Sequence, residues 1–348
     1  MVVPHVTIGG EGMSRGTLLP YELLENTVGA GIFAHLPARV EIGECWARDG
    51  LQSLDTVVPT EKKIEMIDRF SDAGFAHIEV TSFANPKYLP QFADAREVLA
   101  RTKRRPGVGY RVVVPNLKGM ERFVAMLDEG IKVDEALFVC SASEAHNLEN
   151  TNRTIAEQKA EVAQMMDMAK KAGLKIVGSV LTSFGCPITG DVPVETVRDL
   201  GRWYVDHGAD YVQWGDTTGV ANPRQAYAFY RYMFDALPGV PFIVHFHDTR
   251  GTGMANNLAA LLAGATVFDG SIGGIGGQPA GYRPKYHQGY TGNTVTEDLV
   301  CMLEEMGVRT GIGQDEVVVL GRQAEEILGQ KLRAQVTQCG PVLHQMHG

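Results

Sequence analysis

From Arg39 onward, short β-branched apolar runs alternate with amphipathic helical stretches eight times, and this beat limits the fold more than any other feature. The runs are Val40-Glu41-Ile42, His77 to Val80, Tyr110 to Val114, Ala136 to Cys140, Lys175 to Val180, Tyr211 to Trp214, Phe242 to His245 and Thr266 to Phe268. Between them lie helical patterns such as Glu61 to Ala73, Ile155 to Ala172, Val194 to His207, Asn222 to Ala236 and Met254 to Leu262. Gly74, Gly173, Gly208 and Gly264 each stand after a helical run and just before a strand, where a left-handed residue ends a helix. Strict alternation means parallel strands, and eight units suffice to close the sheet. The expected fold is therefore α/β, a (β/α)8 TIM barrel. A doubly wound open sheet is the alternative, but no Gly-x-Gly-x-x-Gly follows the first strand and no P-loop occurs.

Residues 1–37 read as an N-terminal extension, 38–313 as the barrel and 314–348 as a C-terminal helical segment. In the extension, Tyr21 to Leu36 has a pattern suited to a helix that serves as a cap or a dimer arm. The tail's apolar positions (Val317, Leu320, Ala324, Ile327, Leu328 and Leu332) suit packing or a dimer surface, and a homodimer or higher homo-oligomer is expected. A net charge of -9 argues against a nucleic-acid partner, yet leaves room for an anionic substrate held by a few placed arginines. No apolar run is long enough to cross a bilayer, and no secretory or transit signature is visible. The five cysteines, Cys45, Cys140, Cys186, Cys301 and Cys339, are scattered without CxxC spacing. That pattern suits free thiols in a reducing cytoplasm and speaks against a thiolate zinc site.

The seventh strand ends in Val244-His245-Phe246-His247-Asp248. Side chains alternate across a strand, so His245 and His247 face the same side, close enough to share one metal ion. The plainer reading is a pair of hydrogen-bonded core histidines. What separates the two is the company at the C-terminal ends of the other strands, where a barrel of this type keeps its active site. Arg48-Asp49-Gly50-Leu51-Gln52 follows the first strand, Glu79 and Thr81-Ser82 end the second, and Pro115-Asn116 ends the third. Ser141, Ser143, Glu144 and His146 follow the fourth, and Gly215-Asp216-Thr217-Thr218-Gly219 ends the sixth. A Gly-rich loop reaching Asn293 follows the eighth. Asp49, two imidazoles and the Asn293 amide oxygen would leave two positions open on an octahedral ion. Nitrogen and oxygen ligands without sulfur suit Mg²⁺ or Mn²⁺, with Zn²⁺ or Co²⁺ as the alternatives. Arg48, beside Asp49, is placed to stabilise an enolate; its plainer reading is a surface salt bridge. Gln52, Ser82 and Asn116 are the substrate-binding candidates on the same rim.

Taken together, Arg48-Asp49-Gly50-Leu51-Gln52, Glu79-Val80-Thr81-Ser82-Phe83 and Pro115-Asn116-Leu117-Lys118-Gly119 resemble the 3-hydroxy-3-methylglutaryl-CoA (HMG-CoA) lyase family. So do Gly185-Cys186-Pro187, Gly215-Asp216-Thr217-Thr218-Gly219-Val220, His245-Phe246-His247-Asp248-Thr249 and Gly292-Asn293 with Thr296-Glu297-Asp298-Leu299. The resemblance runs in order from about Val40 to Gly311. It implies a metal-dependent lyase barrel in which Asp49, His245, His247 and Asn293 bind the ion and Arg48 holds the thioester enolate oxygen. It also implies that His245 moves a proton and that Glu79 and Asp216 support the site. The implied reaction is a retro-Claisen cleavage of an acyl-CoA thioester to acetyl-CoA and a keto acid. A fixed cation at the developing enolate should matter by about 2–4 kcal/mol.

Two departures qualify the resemblance. The family's loop after the eighth strand carries a cysteine that protonates the product enolate, whereas this chain reads Gly276-Gly277-Gln278-Pro279 in a longer loop. Glutamine donates no proton at useful pH. Second, Glu44-Cys45-Trp46-Ala47 reads as extra loop after the first strand, bringing Cys45 near the site. Cys45, Tyr282, His287 and Tyr290 are the candidates for the missing acid, and with Gln278 they are equally residues of a lid. The substrate is expected to be HMG-CoA or a related 3-hydroxyacyl-CoA such as citramalyl-CoA. A protein that binds CoA esters with weak turnover or none is the reading from a different class.

Overall fold

The computed structural model describes residues 33–277 and 291–343. Its eight strands are β1 (Glu41–Glu44), β2 (His77–Ser82), β3 (Gly109–Val113), β4 (Glu135–Ser141), β5 (Lys175–Leu181), β6 (Tyr211–Asp216), β7 (Phe242–Phe246) and β8 (Val267–Gly270). They are parallel and follow one another in chain order around a closed barrel. The seam is β1 on β8, with Glu41 opposite Val267 and Glu44 opposite Gly270. Around the barrel run α1 (Thr60–Ala73), α2 (Ala95–Arg101), α3 (Leu117–Asp128), α4 (Glu144–Thr151), α5 (Ile155–Lys171), α6 (Val194–Asp206), α7 (Pro223–Ala236) and α8 (Gly253–Ala263). Beyond the last strand come α9 (Thr296–Glu305), α10 (Gln314–Leu328) and the short α11 (Gln335–Cys339). No described helix is long and apolar enough to cross a membrane.

The helix-stop glycines behave as their positions require. Gly74, Gly173, Gly208 and Gly264 all have positive φ, between 75° and 109°, which a side chain would oppose and glycine accepts without cost. Helix α5 starts on a capping box: Thr154 accepts from the Glu157 N–H while the Glu157 carboxylate accepts from the Thr154 N–H.

Two expectations need correction. Glu44, read as loop, is the last residue of β1, and Trp46–Gly50 forms one π-helical turn behind it. The eighth strand runs to Gly270 rather than stopping at Phe268, so Asp269 belongs to the barrel wall. Both differences arise because strand ends here are polar, and an apolar-run criterion cuts them off. Of the helix expected over Tyr21 to Leu36, only residues 33–36 are described, and Phe33, Ala34 and His35 form a turn.

The barrel interior is layered. Val113, Leu137, Val177, Ile243 and Val267 make a buried apolar cluster. A polar layer of Glu79, Arg111, Glu135, Gln213 and Asp269 is as deeply buried. Glu79, Arg111 and Glu135 are in-register neighbours on β2, β3 and β4, so they share one face of the sheet. Arg111 also lies 3.7 Å from Asp269 of β8. Strands β3 and β8 are not adjacent, so that contact crosses the barrel and marks the shared face as the inner one.

The outer wall is tight where helices meet it. A Cβ on Gly201 of α6 would lie 2.2 Å from the Cη2 of Trp214, a fully buried ring on β6. Alanine there gains about 1 kcal/mol of helix propensity, but overpacking against a ring with no room to retreat costs about 1–3 kcal/mol. Gly201→Ala is therefore expected to lower the urea midpoint of unfolding at unchanged slope. A midpoint equal to or above that of the parent chain would show that the ring gives way.

Candidate active site

The first loop is fixed before it presents any functional group. The Glu44 carboxylate accepts from the backbone N–H of Trp46 (2.8 Å) and of Ile272 (2.9 Å), and from the Thr296 hydroxyl (2.8 Å). One buried acid thus ties the π-turn to the chain after β8 and to the start of α9. Burial pushes it up to about 8 against these donors. Trp46 packs edge-on against Phe70 of α1. With the turn pinned at both ends, Arg48 and Asp49 leave it in fixed directions.

Among the described residues, Asp49 receives four donors. They are the Arg48 guanidinium (2.6 Å), the Gln52 amide (2.7 Å), the Asn293 amide (2.7 Å) and the Gly277 N–H (3.0 Å). Burial alone would raise its pKa, but the Arg48 cation and the two imidazoles outweigh that and hold it near 2. Asp49 is therefore a carboxylate at any working pH. His245 and His247 point the same way, as the strand alternation requires, with their Nε2 atoms 3.3 Å apart. His247 Nε2 lies 4.0 Å from Asp49 Oδ2. Asn293 reaches the group because residues 292–294 run back along β7: Asp248 N–H donates to Gly292 and Thr294 N–H to Phe246.

These residues fit a divalent cation. Ligand atoms of Asp49, His245 and His247 all lie within 4.8 Å of one another. The Asn293 side chain spends its N–H groups on Asp49 and the Ile275 carbonyl, which leaves its Oδ1 buried and without a hydrogen-bond partner. An orphaned buried carbonyl beside a carboxylate and two facing imidazoles is the donor set a metal ion satisfies. Burial, the largest influence on His247, lowers it to about 4, so it is neutral and its ring nitrogen is free to ligate.

The two imidazoles differ, and the cause is Asp269. The His245 Nδ1 faces the Asp269 carboxylate at 3.4 Å. Burial by itself would lower the His245 pKa, but Asp269, with Asp49 and Glu79 beyond it, reverses the sign and raises it. A carboxylate facing Nδ1 favours the tautomer with its proton there and the Nε2 lone pair toward the site, although at 3.4 Å the two atoms do not form an aligned hydrogen bond. Asp269 is itself held by the Gln213 amide (2.6 Å), which in turn accepts from the Ser179 hydroxyl (2.6 Å). Arg48, opposite, is clamped by Glu79: its Nε donates to Oε2 at 2.6 Å, with Nη2 at 2.5 Å from the same oxygen. The surface salt bridge weighed for Arg48 is excluded, since Glu79 is fully buried and Arg48 nearly so.

Other candidates take different places. Gln52 bridges Asp49 and the Gly277 carbonyl, so it holds a ligand. Ser82 accepts from the Ala84 N–H, and Asn116 caps α3 by accepting from the Gly119 N–H; both turn the chain at the rim. Asp216 accepts from the Val220 and Ala221 N–H groups, strapping its own loop, and burial pushes it up to about 6. Ser143 caps α4, while His146 meets the Ser141 hydroxyl at 2.7 Å. Cys45 does come near, grouped with His245 and Asp269, but it is fully buried and burial pushes its thiol well up. Gln278, Tyr282, His287 and Tyr290 lie outside the described residues.

Three residues escaped the sequence reading: Asp269, Gln213 and Arg111. Each is a polar residue within or at the end of a strand otherwise rich in apolar side chains. That is the available signal, because an inward-facing charge in a barrel strand needs a reason.

Comparison with known proteins agrees with this geometry. A model of the HMGL-like family matches residues 39–322. The hydroxymethylglutaryl-CoA lyase YngG of Bacillus subtilis (strain 168) is 40% identical over 296 residues, covering 85% of this chain and 95% of that protein. The mitochondrial hydroxymethylglutaryl-CoA lyase of Homo sapiens is 37% identical over 303 residues, covering 87% of this chain and 90% of that one. Among solved structures, an HMG-CoA lyase from Acinetobacter baumannii, in complex with coenzyme A and 3-methylmalate, superposes with a TM-score of 0.81. It is 35% identical and covers 89% of this chain and 98% of that one.

Asn293→Ala removes the orphaned carbonyl while sparing the barrel strands. Its Mn²⁺ affinity, measured by calorimetry without substrate, is expected to fall about ten-fold or more, which is about 1.4 kcal/mol or more. Unchanged affinity would take Asn293 out of the ligand set.

Proposed function

The chain belongs to the HMGL-like family, and on that premise we propose that it is a metal-dependent carbon–carbon lyase. In this reading it cleaves HMG-CoA, or a closely related 3-hydroxyacyl-CoA, to acetyl-CoA and a keto acid. The observation that carries the reading is the opposed pair around the ligand set: a carboxylate-backed imidazole on one side and a carboxylate-clamped guanidinium on the other.

The bond to be broken joins the α-carbon of the thioester to the carbon bearing the tertiary hydroxyl. Cleavage requires the hydroxyl proton to leave as its oxygen becomes a ketone, while the bonding electrons pass to the α-carbon and the thioester oxygen. Asp49, His245, His247 and Asn293 would hold the cation, and Mg²⁺ or Mn²⁺ suits their nitrogen and oxygen atoms. A bound divalent ion supplies Lewis acidity to the alcohol and to a carboxylate beside it. With Nδ1 turned to Asp269, His245 has one free lone pair, on Nε2, so it would either hold the cation or, made more basic by Asp269, accept the hydroxyl proton, and not both at once. Arg48 stays protonated and, held by Glu79, meets the charge that develops on the thioester oxygen. Gln52 and the Gly277 N–H keep Asp49 in place. The product enolate must then take a proton; Tyr282, His287 and Tyr290, which lie outside the described residues, and Cys45 are the candidates to give it. The free thiols suit a reducing cytoplasm.

The test is release of acetyl-CoA from HMG-CoA and from a panel of 3-hydroxy-3-alkylglutaryl- and citramalyl-CoA thioesters, with Mg²⁺ or Mn²⁺ and with chelator. Metal-dependent release from at least one is expected, and Arg48→Gln should lower kcat about 10²–10³-fold, the usual effect of losing one oxyanion donor. No release from any thioester with either metal would sink the lyase reading.

A further inference from the structure

The barrel's inner polar layer contains one cation that touches neither the ligand set nor the open rim. Arg111 lies in the middle of β3 and is 0% exposed. Its Nε donates to Glu135 Oε2 at 2.9 Å. Its Nη1 lies 3.8 Å from Glu79 Oε1 and 3.7 Å from Asp269 Oδ1. Among the described residues, neither Nη1 nor Nη2 makes a hydrogen bond, and the facing oxygens, Glu79 Oε1 and Asp269 Oδ1, make none either. Those carboxylates turn their other oxygens to the site: Glu79 Oε2 bonds Arg48, and Asp269 Oδ2 bonds the Gln213 amide and faces His245 Nδ1 at 3.4 Å.

We propose that Arg111 is a positioning residue that fixes Arg48 and His245 relative to one another by drawing Glu79 and Asp269 onto a single guanidinium. The connected order is Arg48–Glu79–Arg111–Asp269–His245, and it spans the barrel from β2 through β3 to β8. The cluster has space made for it. A Cβ on Gly43 would lie 2.2 Å from Asp269 Oδ1, and one on Gly109 would lie 2.8 Å from Glu135 Oε1, so glycines flank both carboxylates. Without a central cation, Glu79 and Asp269 would be buried like charges facing each other across the lumen, and each would draw back from the group it orients. Glu135, paired with His77 as well as Arg111, anchors the guanidinium from below. Arginine suits the task because its planar fork meets several carboxylates at once, whereas lysine is a point charge on a flexible stem.

The inference rests on the lyase reading only for its kinetic arm. Two variants test it, Arg111→Lys and Arg111→Met, each assayed per folded molecule after circular dichroism and a melting curve. Mn²⁺ affinity without substrate reports the His245 arm. The kcat and KM for acetyl-CoA release report both arms. The effects expected are those of losing an outer partner of a metal site. They are roughly ten-fold in kcat and in Mn²⁺ affinity for the lysine variant, and roughly 100-fold for the methionine variant. KM for the thioester should stay within about two-fold, since Arg111 touches no substrate. A merely structural role would lower the melting temperature and leave kcat per folded molecule and Mn²⁺ affinity as they were; that result, in the lysine variant alone if the methionine variant does not fold, overturns the proposal. Loss of Mn²⁺ affinity in the variants, with no thioester cleaved even by the parent chain, would sink the lyase reading and leave the positioning of His245 supported.

Discussion

Burying carboxylates is the constraint from which the rest of this structure follows. Asp49, Glu79, Glu135 and Asp269 all lie within the barrel wall or its mouth, and among the described residues Arg48 and Arg111 are the permanent cations paired with them. An ionised carboxylate out of water needs a partner, and removing one member of such a pair costs about 3–5 kcal/mol. The network therefore cannot be altered one residue at a time without a penalty. Its worth to stability is still small, because the desolvation of each charge offsets most of the attraction. What the arrangement secures is direction: Arg48, Asp49 and His245 are each held by a group that is itself held. The Asp49 carboxylate at the mouth also suits the cation that the Asn293 oxygen and the paired imidazoles call for.

Closure of the barrel is what makes the site possible. Asp49 follows β1, the histidines sit at the end of β7, and Asn293 lies beyond β8. Pairing of β1 with β8 brings the first and last of these together, and Glu44 reinforces the seam by bonding across it to Ile272 and Thr296. In an open doubly wound sheet these elements would fall at different places along the sheet, and no four of these groups would meet. The strand count and the ligand set are therefore not independent readings; each requires the other.

Much of this was legible in the sequence, and the parts that were not share one cause. The strand–helix beat and the glycine stops prescribe the barrel because the backbone has few alternatives at those positions. The His-x-His pair and Arg48-Asp49 are legible because strand alternation and strand ends fix where such side chains point. Asp269, Gln213 and Arg111 were hidden because their purpose lies in contacts between strands far apart in the chain, which no local pattern records. Gln52 and Asn116 are expected on the rim as substrate-binding residues, and the structure adds a second task for each: one holds Asp49 and the other caps a helix. Side-chain chemistry alone does not distinguish a group that meets substrate from one that holds its neighbour.

The same division of labour bears on the glutamine at position 278. The groups that would polarise, deprotonate and stabilise the substrate belong to the barrel strands and the turns tied to them, where each is held by buried partners. In the proposed reaction, protonation of the released enolate follows cleavage of the bond, and Gln278 lies outside the described residues. Loops tolerate exchange of residues that a packed barrel does not. In that reading, the glutamine at position 278 bears on how the product is quenched rather than on how the bond is broken. That asymmetry is why the retained Arg48, Asp49, His245, His247 and Asn293 weigh more in assigning the chemistry than the missing thiol weighs against it.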